Sequence, residues 1–196
     1  MNLMPFDELN TFRQMVTRYK TEPLTQSERE KQREDIDDYI EFLLIEAYVY
    51  GNVQAMQDLG LLDLDPKDLI DEDEMRRVID EKIADKTYKQ RIEEYLDDEN
   101  STIDDFQRVA ETDATRVYNA GVVDGGKASG VPGVMKQWIT MEDERVRSTH
   151  EYLQSMTVPL DADFWTWDGD HARAPGLFAL PENNINCRCT LSLIRE

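Results

Sequence analysis

Apolar residues recur every three to four positions through the first 128 residues, the spacing of helices that each bury one face. Phe6, Leu9, Phe12, Val16 and Tyr19 trace the first face, and the stretch 21–25 with Pro23 closes it. Ser27, with Glu30 three positions on, reads as a capping box that opens a second helix. Ile36, Ile40, Leu43, Ala47 and Tyr50 carry that helix toward Gly60, where it is expected to end. Residues 61–69 form a short link in which Asp65-Pro66 favours a turn or a helix start. Met75, Val78, Ile79, Ile83, Tyr88, Ile92 and Leu96 outline one third helix. Asp97-Asp98-Glu99-Asn100 is unfavourable at a helix C-terminus, where the partial charge is already negative, and so marks a break. Ser101 or Thr102 then caps a helix through Phe106, Val109, Ala110, Ala114, Val117 and Tyr118, which Gly121, Gly125, Gly126 and Gly130 are expected to loosen.

The texture changes after Gly130. Residues 134–140 alternate as a strand, with Met135, Gln137 and Ile139 on one side and Val134, Lys136 and Trp138 on the other. Residues 142–154 read as a helix and 158–180 as a long loop holding Pro159, Pro175, Trp165 and Trp167. Residues 187–194 read as a closing strand. The fold class is α+β: a long, mainly helical N-terminal arm over 1–74, then a module over 75–196 that is helical to about 128 and ends in a small α+β part.

Charge narrows the function. The chain has 196 residues and a formal net charge of -20. Residues 1–100 hold 27 acidic and 13 basic side chains, so the excess is concentrated in the helical part. Such a charge repels the phosphate backbone and argues against a dedicated DNA-binding role; any DNA contact is expected to be weak or indirect. It suits a solvated surface, a basic partner, or life beside DNA without sticking to it. The N-terminus lacks a basic start and a long apolar run, so no signal peptide is expected. The stretch 42–50 is broken by Glu46 and too short to span a bilayer.

The chemically capable residues gather late. His150, Cys187 and Cys189 include both cysteines and one of the two histidines. Cysteines one residue apart cannot form an ordinary disulfide with each other without strain, so reduced thiols are expected. Three readings stand: buried packing thiols beside a hydrogen-bonding histidine, a zinc site, or a thiol nucleophile paired with His150. Zinc normally takes four ligands, and His171, Asp143 or Asp170 are candidates for the fourth. On the expected helix Asp143 and Arg147 are four apart and can pair, and Arg147 and His150 share a face; with Arg145 they form a polar network tying helix, loop and cysteine strand together. Arg188 should point away from the sulfurs, toward solvent or the acidic helices. Trp165 and Trp167 are expected to fold back as a lid, the alternative being exposed anchors for a partner. Asp113 and Arg116 can pair along a helix. Neither a phosphate-binding glycine loop nor a recognisable active site is present, and no small-molecule substrate is expected.

Three stretches together carry a family resemblance. The order W-x(4)-D-x-R-x-R-x(2)-H, from Trp138 through Asp143, Arg145 and Arg147 to His150, precedes a Pro-bearing loop and then N-x-N-C-R-C-T-L, which contains Asn184, Asn186, Cys187, Arg188 and Cys189. Upstream, residues 110–121 resemble a helix reading A-x-T-E-x-x-R-x-x-N-A-G, with Asp113 where Glu is frequent. Over roughly 75–195 the chain resembles the phage Mu F-like minor head protein family, also called phage head morphogenesis proteins. The resemblance implies a virion component made in the host cytoplasm, with the portal protein and other head proteins as partners and a part in DNA packaging or ejection. The helical arm is the expected portal contact. A small zinc- or thiol-dependent hydrolase or toxin-related domain is the rival reading, and a generic protein-binding adaptor a second; metal is otherwise not required.

Overall fold

The computed structural model describes residues 6–195. The absence of a signal peptide at residues 1–5 and the place of the Phe6 side chain on the first apolar face lie outside what is described.

Helix α1 spans Phe6–Thr21 and buries Leu9, Phe12, Val16 and Tyr19, the spacing read from sequence. Helix α2 runs Gln26–Leu59 and starts two residues before the expected Ser27–Glu30 box. Thr25 is the cap: its hydroxyl accepts from Glu28 N–H, and the Glu28 carboxylate accepts from Thr25 N–H at 2.9 Å. Both pairs satisfy the same pattern, and the earlier one satisfies the orphan donors of the longer helix. Gly60 ends α2 at φ 69, a left-handed conformation that glycine adopts without strain. Tyr48, rather than the expected Tyr50, is the buried tyrosine of α2.

The single third helix expected over 75–96 is two. After a short 3-10 helix, Pro66–Leu69, helix α3 covers Glu72–Ile79 and α4 covers Tyr88–Asp97. Between them Ala84 and Asp85 take positive φ and Ile83 bridges Lys86 in a tight turn. Thr87 and Gln90 form a capping box that starts α4 afresh. The apolar period runs through the turn because Ile83 is also buried.

Helix α5 covers Ile103–Ala128, with the Asp105 carboxylate accepting from the backbone N–H of Thr102 at 2.8 Å. Gly121, Gly125 and Gly126 do not loosen it. A Cβ on Gly121 would meet Tyr48 O at 2.3 Å, and one on Gly51 would meet Tyr118 O at 2.1 Å. Gly51 and Gly121 are where α2 and α5 touch backbone to backbone, Gly125 faces Asn52 and Ala55 of α2, and Gly126 makes room for Leu193 and Leu160; this close packing offsets the roughly 1 kcal/mol helical cost of each glycine. One apolar interior runs from α1 and α2 through α5 to the sheet.

A three-stranded antiparallel sheet packs against α2 and α5 through β5, in the order β2 (Thr157–Pro159), β1 (Val134–Ile139), β5 (Thr190–Arg195). Trp138 pairs with Leu191 and Lys136 with Leu193. The expected helix 142–154 is reduced to one turn, α6, Ser148–Glu151. Glu142 takes φ 52, and the Asp143 carboxylate accepts from Arg145 N–H at 3.0 Å, an Asx-type turn that competes with helix. The long loop holds a two-stranded ribbon, β3 (Phe164–Trp165) with β4 (His171–Ala172), and then α7, Pro181–Asn184. The closing strand starts at Thr190, so the cysteines stand in the approach to it. Among the described residues no helix is long and apolar enough to cross a membrane.

Candidate functional site

The loop between α7 and β5 delivers both cysteines to His150 on α6. Each sulfur lies 3.6 Å from His150 Nδ1, and the three ligand atoms fall within 4.8 Å of one another. All three residues are buried, and the thiols are free. The two thiols share one ionisation. The hydrogen bond from Cys189, with His150 beside it, holds the Cys187 thiol well below its ordinary range, and the same bond to Cys187 pushes Cys189 up. Aromatic rings enclose the imidazole. Phe178 stacks on it at 5.4 Å, and the fully buried Trp138 meets it edge-on at the same separation. His150 Nε2 has no hydrogen-bond partner among the described residues.

Asparagine and arginine side chains fix the approach of the cysteines. Asn119 of α5 donates to Cys189 O at 3.0 Å and accepts from Leu191 N–H at 3.0 Å, standing in for a strand partner at the start of β5. Asn184 both donates to and accepts from the backbone of Phe178, at 2.7 and 2.8 Å. Asn186 takes φ 59, and its N–H donates to Thr112 Oγ1 at 3.1 Å. Arg147 donates to Ile185 O.

Arg188 turns away from the sulfurs and grips Asp143 with both terminal nitrogens, at 2.7 and 2.8 Å. That guanidinium holds the Asp143 carboxyl down to about 2. Asp143 therefore pairs across to Arg188 and not with Arg147, because the helix that would have aligned the latter two does not form. Arg145, 3.7 Å from the same carboxylate, is largely exposed.

The other fourth-ligand candidates are committed elsewhere. His171 stacks on Trp165 and bonds Asp163 at 2.8 Å. Asp170 accepts from His171 N–H, Leu180 N–H and Asn183 Nδ2, fastening the ribbon to α7. Trp165 and Trp167 are 56% and 62% exposed, so they are no lid. Phe164 and Phe178, the aromatics that do fold back, line the inner side of the loop.

Asp113 and Arg116 form a second centre, inside the helical part. Arg116 is fully buried, and its guanidinium donates to Val78 O and, at 3.0 Å, to Ile79 O, the last carbonyls of α3. Asp113 pairs with Arg116 at 3.1 Å and with Arg91 of α4 at 2.7 Å. One carboxylate thus joins α3, α4 and α5, and the arginine complements the negative end of a helix.

Sequence reasoning gave no role to Asn119 or Lys136. Asn119 lies among apolar residues of α5, where an amide must find partners. Lys136 alternates inward with Val134 and Trp138, and that alternation was its signal. It is buried, donates to Arg173 O at 2.6 Å, and its ammonium lies 5.4 Å from the centre of the Phe164 ring. Burial pushes its pKa from 10.5 to about 8.

Comparison with known proteins bears on the same residues. A stretch of 86 residues, 42% of the chain, is 33% identical to an NAD(+)--arginine ADP-ribosyltransferase, EFV, of Enterococcus faecalis, and covers 17% of that protein. A stretch of 83 residues is 30% identical to the minor head protein GP7 of Bacillus phage SPP1 and covers 27% of it. The chain thus spans about a sixth to a quarter of the length of these relatives. No solved structure matches it. The family described as phage Mu protein F like protein matches residues 73–192, which take in α3 to α7, the Asp113–Arg116 centre and the His150–Cys187–Cys189 cluster, and on that match over more than half its length the chain belongs to this family.

Proposed function

We propose that this protein is a minor head component of a bacteriophage, acting in head morphogenesis at the portal vertex, with an influence on DNA packaging or ejection. The observation that carries the reading is the family match over 73–192, joined by similarity to a minor head protein. Its places are the assembling head in the host cytoplasm and then the virion, and its partners are the portal protein and other head proteins. The physical character agrees. The acidic surface keeps the chain off DNA that passes close by. The exposed indoles of Trp165 and Trp167 are aromatic surface of the kind that anchors protein contacts. The main apolar faces of α1 and α2 are turned into the core, so a portal contact by the arm would use its polar side or the exposed Phe42, Tyr50, Leu62 and Leu64.

The role is structural and not catalytic in this reading. Cys187 and Cys189 are each 3% exposed, which closes them to a substrate. The transferase named above is matched over 17% of its length, so its activity is not carried over. The test is co-expression of the full chain with the portal protein of the same phage, followed by affinity capture of the portal ring. Stoichiometric co-purification that survives washing is expected. Capture by the major capsid protein alone, or by neither, overturns the portal assignment. Heads of normal number and DNA content from a phage lacking the gene overturn the role in morphogenesis.

A further inference from the structure

We propose that His150, Cys187 and Cys189 bind one zinc ion, with a water molecule as the fourth ligand. The geometry of the three ligands carries it, independently of the head-protein reading. Both sulfurs stand 3.6 Å from the same imidazole nitrogen. Hydrogen bonding joins Cys189 to Cys187 and Cys187 to Nδ1, and leaves the equal approach of the Cys189 sulfur to that same nitrogen unexplained. A shared metal supplies the reason. With Zn–S of about 2.3 Å and Zn–N of about 2.0–2.1 Å, two ligands at a tetrahedral angle lie about 3.5–3.6 Å apart. The 3.6 Å separation in the structure is that edge, found twice.

The surroundings complete the case. A cavity of about 10 Å³ is lined by the three ligands together with Arg145, Arg147 and Arg188. That is about the room one water needs. Nδ1 is the nitrogen that faces both sulfurs, so with a metal bound the ring proton sits on Nε2. Two thiolates balance the charge of Zn²⁺, so the occupied cluster is neutral in a site walled by Trp138 and Phe178. Binding releases the thiol protons to solvent. The metal would tie α6 to the approach of β5 and close the long loop on the sheet.

The full chain, produced with zinc in the medium and purified without chelator, should carry about one zinc per molecule. X-ray absorption at the zinc edge should then give two sulfurs at about 2.3 Å and N/O scatterers at about 2.0–2.1 Å. Cobalt exchanged into the site should show thiolate charge-transfer bands and the intense visible bands of a tetrahedral ion. Cys187→Ser and His150→Ala should lose the metal, and His171→Ala should keep it. The wild-type measurement stands even if the first two variants fail to fold. Folded wild-type protein that has both thiols reduced yet contains sub-stoichiometric zinc, and takes up none when zinc is added, overturns the proposal. So does zinc that survives Cys187→Ser, or an absorption spectrum with only oxygen and nitrogen neighbours.

Discussion

Asp113 is the residue on which the helical half turns. It is fully buried between two arginines, and Arg116 spends the rest of its donors on the C-terminal carbonyls of α3. Asp113→Ala leaves Arg116 and Arg91 without their shared counter-charge, and breaking a buried pair in this way costs about 3–5 kcal/mol. Urea unfolding of that variant should show a loss of this size, whereas Arg145→Ala, at an exposed side chain, should stay within about 0.5 kcal/mol. Equal effects of the two would remove the centre from the account. Lys136 makes a different claim, about pH. Its folded pKa, about 8, lies below that of the unfolded chain, near 10.4. Between those values the unfolded state holds the extra proton, so stability contributed at this position rises as pH climbs from about 8 to about 10. The urea midpoint of the wild type should therefore gain on that of Lys136→Met over this window: the variant is ahead at pH 7 and its lead shrinks by pH 9.5. A constant gap means that folding leaves the Lys136 pKa unchanged.

Elements follow from local rules wherever one rule acts alone. The two capping pairs at the start of α2 separate cleanly: Thr25→Ala should cost about 0.5–2 kcal/mol, and Ser27→Ala, already inside the helix, should cost almost nothing. Thermal melts of the two variants decide which box is used, and the reverse order would restore the Ser27 start. Apolar period and glycine made α1, α2, β1 and the end at Gly60 legible in the sequence, and Thr102 was legible as a cap. The split of α3 from α4 was not, because Ile83 keeps the apolar rhythm through the turn and neither positive-φ residue there is glycine. The Thr87–Gln90 box was the signal available. Helix α5 was misjudged at its glycines for a tertiary reason: Gly121 and Gly125 answer to α2 and Gly126 to Leu193 and Leu160, neighbours that only the packed structure supplies. In the cluster the grouping of His150 with the two cysteines was legible from their shared neighbourhood in sequence. The Asp143–Arg188 clasp was not, since it depends on a helix that yields to an Asx turn.

At the scale of the whole molecule, α2 and α5 form a spine, and their backbones meet at Gly51 and Gly121, so the interior is continuous across residue 75. Binding tests on this protein therefore belong on the full chain. The charge carried on this frame makes a claim about DNA. A net charge of -20 opposes approach to a polyanion, and the basic side chains nearest to forming a patch are already engaged. Arg188 grips Asp143, Arg173 lies within 3.7 Å of Glu74 and Asp124, and Arg147 donates to Ile185 O. Freeing any of them for a phosphate breaks an existing bond. Each phosphate neutralised adds about -0.9 to the slope of log K against log salt for duplex DNA, so a protein with few contacts has both low affinity and a shallow slope. A mobility-shift titration of the full chain on duplex DNA should show little binding at moderate salt, and fluorescence anisotropy at low salt should show weak binding with a small slope. Tight binding that persists as salt rises would mean a surface that reads DNA in spite of the net charge. Arg145, with its exposed guanidinium, is then the first side chain to neutralise, and loss of that binding in Arg145→Ala would locate it.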